Sequence, residues 1–186
     1  MNQPSAPHVK HETVVLALKK RLAKVHRIIT AGGVWPLTKG HVSCRVPGTG
    51  QVLILGHIHS EGRSLANTDV DDIVSVDLEG NFIEGRIEPV DERFAHTEVY
   101  KARPDAQAIV HAHAPILEFD KQIDTPERGR MVVQAIGQGC VVVLKNHGVV
   151  VTSDTIENVC ITLFALEETA ELHWGHYEAL DPCNWK

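Results

Sequence analysis

Ala108-Ile109-Val110-His111-Ala112-His113 is the stretch on which the fold turns. Its apolar residues occupy both alternations, which predicts a strand buried on two faces. Side chains two apart on a strand share a face, so His111 and His113 present two imidazoles side by side. Such a pair is a bidentate arm for a divalent transition metal. A pair of hydrogen-bonded structural histidines is the competing reading, and for an isolated His-x-His the two are evenly balanced. Two imidazoles in an apolar strand cost desolvation unless something compensates it, which favours the metal.

Working outward, Cys140 to Leu144 reads as the strongest core strand, and it stops at Asn146-His147-Gly148. A strand end holds a side chain rigidly while projecting it into a cleft, so His147 is a third candidate ligand. Three histidines with an open fourth position describe a catalytic rather than a closed metal site. An acid should stand near. Glu92 is the candidate, at the start of a helix to about Ala102 with Asp91 as N-cap and His96 one turn later on the same face. Taken alone, Glu92 also fits a plain first-turn carboxylate facing the helix dipole.

The rest of the chain supplies layers around these segments. Val15, Leu18, Leu22, Val25 and Ile29 predict an amphipathic helix over Glu12 to Thr30, closed by Gly32-Gly33, with residues 1–11 as a flexible arm before a single domain of 12–186. His41 to Val46 and Gln51 to Leu55 flank the turn Pro47-Gly48-Thr49-Gly50. Ile73 to Leu78 and Phe82-Ile83 flank Glu79-Gly80-Asn81, a second hairpin signature. Thr125-Pro126 opens a helix to about Ile136, Val149 to Val151 is a short strand, and a long helix runs from Asp154 to about Tyr177. The fold class is α/β, with helices layered on a mainly antiparallel sheet.

The composition suits one ordinary globular domain: 186 residues, 43% hydrophobic and 23% charged. A formal charge of −6 without clustered cations argues against a general nucleic-acid or membrane-surface binder. No apolar run approaches the ~20 residues of a membrane span. The first residues hold no apolar signal core, so a cytoplasmic protein is expected. Cys44, Cys140, Cys160 and Cys183 form no Cys-x-x-Cys pair, so neither a disulfide framework nor a thiolate metal site is indicated. The unusual count is histidine, at twelve.

Pro89-x-x-Glu92, His96, Tyr100, Arg103-Pro104-Asp105, Val110-His111-x-His113 and Leu144-x-Asn146-His147-Gly148 follow one another in an order and spacing that resemble the class II aldolase and adducin N-terminal family. Gly40-His41-Val42-Ser43 and Asp72-Ile73-Val74-x-Val76-Asp77-Leu78-x-Gly80 match its earlier segments, so the likeness runs from about Leu22 to about Glu171. The resemblance implies a three-layer α/β/α fold with a central, mainly antiparallel sheet. It implies one divalent metal per subunit on His111, His113 and His147, with zinc favoured over manganese or iron. It implies that Glu92 is the acid/base carboxylate. It further implies a homotetramer with active sites where subunits meet, to which His173, His176 and Tyr177 of the last helix are weak candidates to contribute.

Three departures from the family pattern shape the expected substrate. The sugar-phosphate aldolases of the family cradle phosphate with a Gly-Asn-x-Ser turn, a Ser-Gly turn and a Ser-Ser-Glu motif, where small and hydroxyl residues crowd an anion. Here His41 replaces the Asn, the second turn reads Gly56-His57-Ile58-His59-Ser60-Glu61-Gly62, and the third reads Val90-Asp91-Glu92. Asp91 would repel a phosphate. The Gly-His-x-Ser form resembles members acting on non-phosphorylated compounds, including decarboxylases of hydroxylated aromatic acids. His41, Ser43, His57, His59 and Asp91 are therefore the candidate substrate-binding residues, with His57 and His59 also readable as solvated loop histidines. In addition, only 33 residues separate His113 from His147, fewer than the family pattern has. Either a lid is trimmed here or a loop is missing from the stretch as written.

The expected activity is a metal-dependent carbon–carbon lyase acting on a small non-phosphorylated hydroxy or keto acid. A chelated substrate would lose an aldehyde or carbon dioxide, the enolate-like charge being stabilised by the metal while Glu92 moves the proton. A non-haem iron oxygenase on the same scaffold and a non-catalytic adducin-like assembly module are the alternatives.

Overall fold

A computed structural model describes residues 6–34, 39–113, 122–145 and 147–180, with the side chains of 6–10 and 173–180 outside that description. Asn146, the segment 114–121 and the side chains of His173, His176 and Tyr177 lie outside the described residues.

The strands are β1 (Gly40–Arg45), β2 (Val52–Leu55), β3 (Ile73–Val76), β4 (Phe82–Glu84), β5 (Ala108–His113), β6 (Val141–Leu144) and β7 (Gly148–Ser153), and the helices are α1 (Ala6–Ala31), α2 (Phe94–Ala102), α3 (Pro126–Ile136) and α4 (Ile156–Leu180). The strands form one sheet in the order β4-β3-β2-β1-β5-β7-β6, every pairing antiparallel. The α1 and α4 helices pack on each other and on β1, β5 and β7, while α2 and α3 pack together against β5 and β6. The three-layer α/β/α arrangement follows from period-2 burial: on β1 and β5 the even positions Val42, Cys44, Val110 and Ala112 face one helical layer, and His41, Ser43, Ile109, His111 and His113 face the other.

The α1 helix begins at Ala6, so the expected arm of 1–11 is helical from Ala6 onward. Pro7 falls in its first turn, where a missing N–H costs nothing, and no breaker follows until Gly32. The apolar stripe is as the spacing predicts, with Leu22, Val25 and Ile29 buried and Val15 and Leu18 packed at its margin. Gly33, at φ 77°, lets the chain leave the helix in the left-handed region. The strand β5 has the predicted bounds and is buried along its whole length.

Two further expectations are corrected. The segment Asp91–Arg93 is a separate turn of 3-10 helix, α2 starts at Phe94, and Asp91 makes no capping bond. Glu92, at ψ 19°, sits in the break and turns its carboxylate into the protein. The strand β6, read as the strongest of the core, is the sheet edge: among the described residues it pairs with β7 alone, and Val143 is 70% exposed. A run of four apolar residues cannot distinguish two covered faces from one apolar face left open to solvent.

Candidate metal centre

His111 and His113 project from the same face of β5, their ring centroids 4.7 Å apart. The strand is central, paired to β1 on one side and β7 on the other, so both rings are rigidly held. His147 enters from the turn before β7, closed by its N–H donating to the Leu144 carbonyl at 3.1 Å. Gly148 allows this approach, because a Cβ there would overlap the Ala112 carbonyl oxygen and the His113 backbone. Glu92 arrives from the opposite layer at the head of α2, and its Oε1 accepts the Ile123 backbone N–H at 3.0 Å.

The four side chains converge tightly. Their candidate ligand atoms all lie within 4.8 Å of one another, and all four residues are buried. His111 Nε2 is 3.1 Å from His147 Nε2, His113 Nε2 is 2.9 Å from Glu92 Oε2, and His147 Nε2 is 3.1 Å from Glu92 Oε1. The Nδ1–H of His111 donates to the Val149 carbonyl at 2.9 Å, which leaves the lone pair of its neutral Nε2 aimed into the cluster. Two ligand atoms on a tetrahedral zinc are ~3.3 Å apart, so these separations and this donor set fit a divalent cation.

Burial works against ionisation of Glu92, but the imidazoles of His111, His113, His147 and His41 that surround it outweigh this and hold the carboxyl well below the usual carboxylate range. Burial lowers the pKa of His113; it also lowers that of His41, to about 4, so the His41 ring is neutral near neutral pH.

A family model described as the class II aldolase and adducin N-terminal domain matches residues 20–119 and 115–174, two pieces that overlap where the connection after His113 reads short. The chain belongs to this family. It is 34% identical over 127 residues to an L-fuculose phosphate aldolase of Methanocaldococcus jannaschii, covering 55% of this chain and 68% of that one. It is 27% identical over 191 residues to a 3,4-dihydroxyphthalate decarboxylase of Arthrobacter keyseri, covering 83% and 76%. Among solved structures, an aldolase II superfamily protein from Pseudomonas syringae superposes with a TM-score of 0.76 at 18% identity over 91% of this chain and 78% of that one, a likeness of fold.

In this class II aldolase-family domain a cavity of about 260 Å³ opens onto the cluster. Its lining includes Glu92 and His113 and, of the expected substrate-binding residues, His41, His57, His59 and Asp91. His59 is half-buried, its pKa lowered by that burial, and its Nδ1 has no hydrogen-bond partner among the described residues. Asp91 is exposed at the rim. Ser43 is placed differently from the expectation: it is fully buried, off the cavity wall, with its hydroxyl engaged by His96 Nδ1 at 2.7 Å and by the Tyr100 phenol at 2.8 Å. Ser43 therefore supports the site from behind.

Sequence reading missed three participants. Lys39 and Gln122 line the cavity, and nothing in their neighbourhood in the chain marks them. The Ile123 amide reaches Glu92 only because the chain returns to the site before α3. The contact of His96 with His41 had a legible half: His41 and Ser43 share a strand face, His96 and Tyr100 share a helix face, and the two faces meet.

Proposed function

We propose that the protein is a metal-dependent carbon–carbon lyase acting on a small, non-phosphorylated hydroxy or keto acid. The observation that carries this reading is the convergence of three imidazole nitrogens and a carboxylate beside a small cavity that Glu92 and His113 line. His111, His113 and His147 would hold the divalent ion, zinc by preference because imidazole nitrogen with one carboxylate nearby suits it, with manganese or iron as alternatives. A cation so held supplies Lewis acidity toward the negative charge that appears on substrate oxygen when a carbon–carbon bond breaks.

The chain's own residues do the rest. Glu92, kept ionised in the absence of substrate, takes the hydroxyl proton in a retro-aldol cleavage and returns it to the carbon left behind. In a decarboxylation the same carboxyl delivers to that carbon a proton drawn from solvent. His41, His57 and His59 offer N–H donors to a carboxylate or phenolic oxygen, and Asp91 at the rim disfavours a phosphate. Sequence likeness to both an aldolase and a decarboxylase supports the shared lyase chemistry. A homotetramer and a cytoplasmic location accompany this reading.

The test is metal analysis of the purified protein with a screen of hydroxy acids for aldehyde or carbon dioxide release. Wild type is expected to carry one ion per chain, and His111→Ala to lose both metal and turnover. Undiminished metal and activity in His111→Ala would refute the assignment. Oxygen consumption with an aromatic hydroxy acid would replace it with the iron oxygenase, and a protein without stoichiometric metal with an assembly module.

A further inference from the structure

Behind the cluster runs a line of buried polar groups. Glu92 Oε2 lies 3.8 Å from His41 Nε2. His41 Nδ1 is 2.7 Å from His96 Nε2, His96 Nδ1 is 2.7 Å from Ser43 Oγ, and Ser43 Oγ is 2.8 Å from the Tyr100 hydroxyl. His96, Ser43 and Tyr100 are at most 1% exposed, so no water competes for these bonds.

A neutral imidazole has one donor and one acceptor nitrogen, and a hydroxyl has one proton. The direction of the whole line is therefore set from its ends. The Glu92 carboxylate at one end can only accept, and it faces His41 Nε2; the Ile109 backbone amide at the other can only donate, and it favours negative charge on the Tyr100 phenol. The Tyr100 proton then goes to Ser43 Oγ, the Ser43 proton to His96 Nδ1, and the His96 Nε2 proton to His41 Nδ1. His41 is left with its proton on Nε2, the atom that faces Glu92 and the cavity. We propose that Tyr100, Ser43 and His96 are positioning residues that fix His41 as an Nε2–H donor beside Glu92. In the opposite order His41 would present a lone pair to the Glu92 carboxylate, and two acceptors would face each other across 3.8 Å without a proton between them.

The consequence for ligands rests on the lyase reading: a fixed N–H beside the metal cluster selects an oxygen acceptor, such as the carboxylate of a hydroxy acid. The proton order itself does not depend on turnover. Long-range 1H–15N NMR of the histidine rings, with and without zinc, reads it directly. In wild type both His41 and His96 are expected to carry the proton on Nε2. Ser43→Thr should retain that order and Ser43→Ala should scramble or reverse it. Tyr100→Phe, which removes the proton Ser43 accepts and lies farthest from the cluster, should leave His41 in mixed tautomers and serves if Ser43→Ala does not fold. Glycolate binding to the zinc-loaded protein, followed by chemical shift, should weaken about tenfold in Ser43→Ala and recover in Ser43→Thr, the size of one hydrogen bond to a charged group. Protonation of wild-type His41 on Nδ1, or unchanged tautomers in both Ser43→Ala and Tyr100→Phe, would overturn the proposal. Loss of activity or of zinc binding with the proton order intact would instead count against the lyase reading alone.

Discussion

His26 gives the fold a built-in acid sensitivity whose size follows from its surroundings. The ring is fully buried between α1 and β1; its Nδ1–H donates to the Leu22 carbonyl at 2.8 Å, and its Nε2 accepts the Val42 N–H at 3.1 Å. Both bonds require the neutral ring. Burial lowers the pKa of His26 to about 4, against ~6.5 in an unfolded chain. The unfolded state therefore binds a proton below pH ~6.5 that the native state refuses until about 4, so stability is complete above the first value and drains as pH falls toward the second. Between pH 7 and pH 5 the loss from this one group is about 2 kcal/mol. The perturbation that isolates it is His26→Gln, whose amide oxygen can still accept the Val42 N–H but cannot titrate. Urea unfolding of both proteins, metal-chelated and at equal concentration, should show wild type losing about 2 kcal/mol more than the variant over that pH interval. Equal losses in the two proteins would refute the reasoning. The site has a stake in this, because Val42 stands between His41 and Ser43 on β1.

Zinc at a hundredfold excess over its dissociation constant should raise the unfolding free energy by about 2.7 kcal/mol, and His113→Ala should abolish that increment in a parallel denaturant titration. Gly148→Ala should cost about 3 kcal/mol or more and lower metal stoichiometry, since the new methyl meets the backbone of β5 rather than a yielding side chain. Asp72, 1% exposed, is clamped by Arg63 and by Arg86, which is 2.9 Å away, and accepts the Asp69 N–H; Asp72→Ala should destabilise by about 1–3 kcal/mol in thermal or urea unfolding, because that capping bond is lost while the partly exposed Arg63 and Arg86 keep Glu61 as a counter-charge.

The histidine pair on β5 was legible because it depends on one rule, the two-residue period of a strand, applied to an apolar run with two histidines in it. His147 was legible from its place at a strand end, although the strand before it proved to be an edge rather than the core. Glu92 was identified for its residue type beside a helix start, and its true setting, a 3-10 turn broken from α2, could not be read because Asp91 offers a plausible cap that the structure does not use. Ser43 was assigned to substrate by motif, whereas its burial state is decided by what α2 places over β1. Contacts of that kind depend on how two layers are set against each other, and no periodicity within either segment encodes it.

The chain beyond the short connection after β5 is tied directly into the site. Ten residues beyond His113 the chain is back at the cluster, with the Ile123 N–H on Glu92 Oε1 and Ile123 itself in the core. Thr125 then caps α3, whose Gly129 lets that helix lie against Glu98 and the Phe94 carbonyl of α2. The return is thus tied to the same helical layer that carries Glu92 and His96, and it supplies a backbone donor to the carboxylate. That donor is a neutral dipole fixed by packing, so it steadies the ionised carboxylate without adding a charge that would compete with a cation for it. Anchored in this way, the Ile123 amide holds the Glu92 carboxylate from one side, while the histidines of the turn after β2 line the cavity.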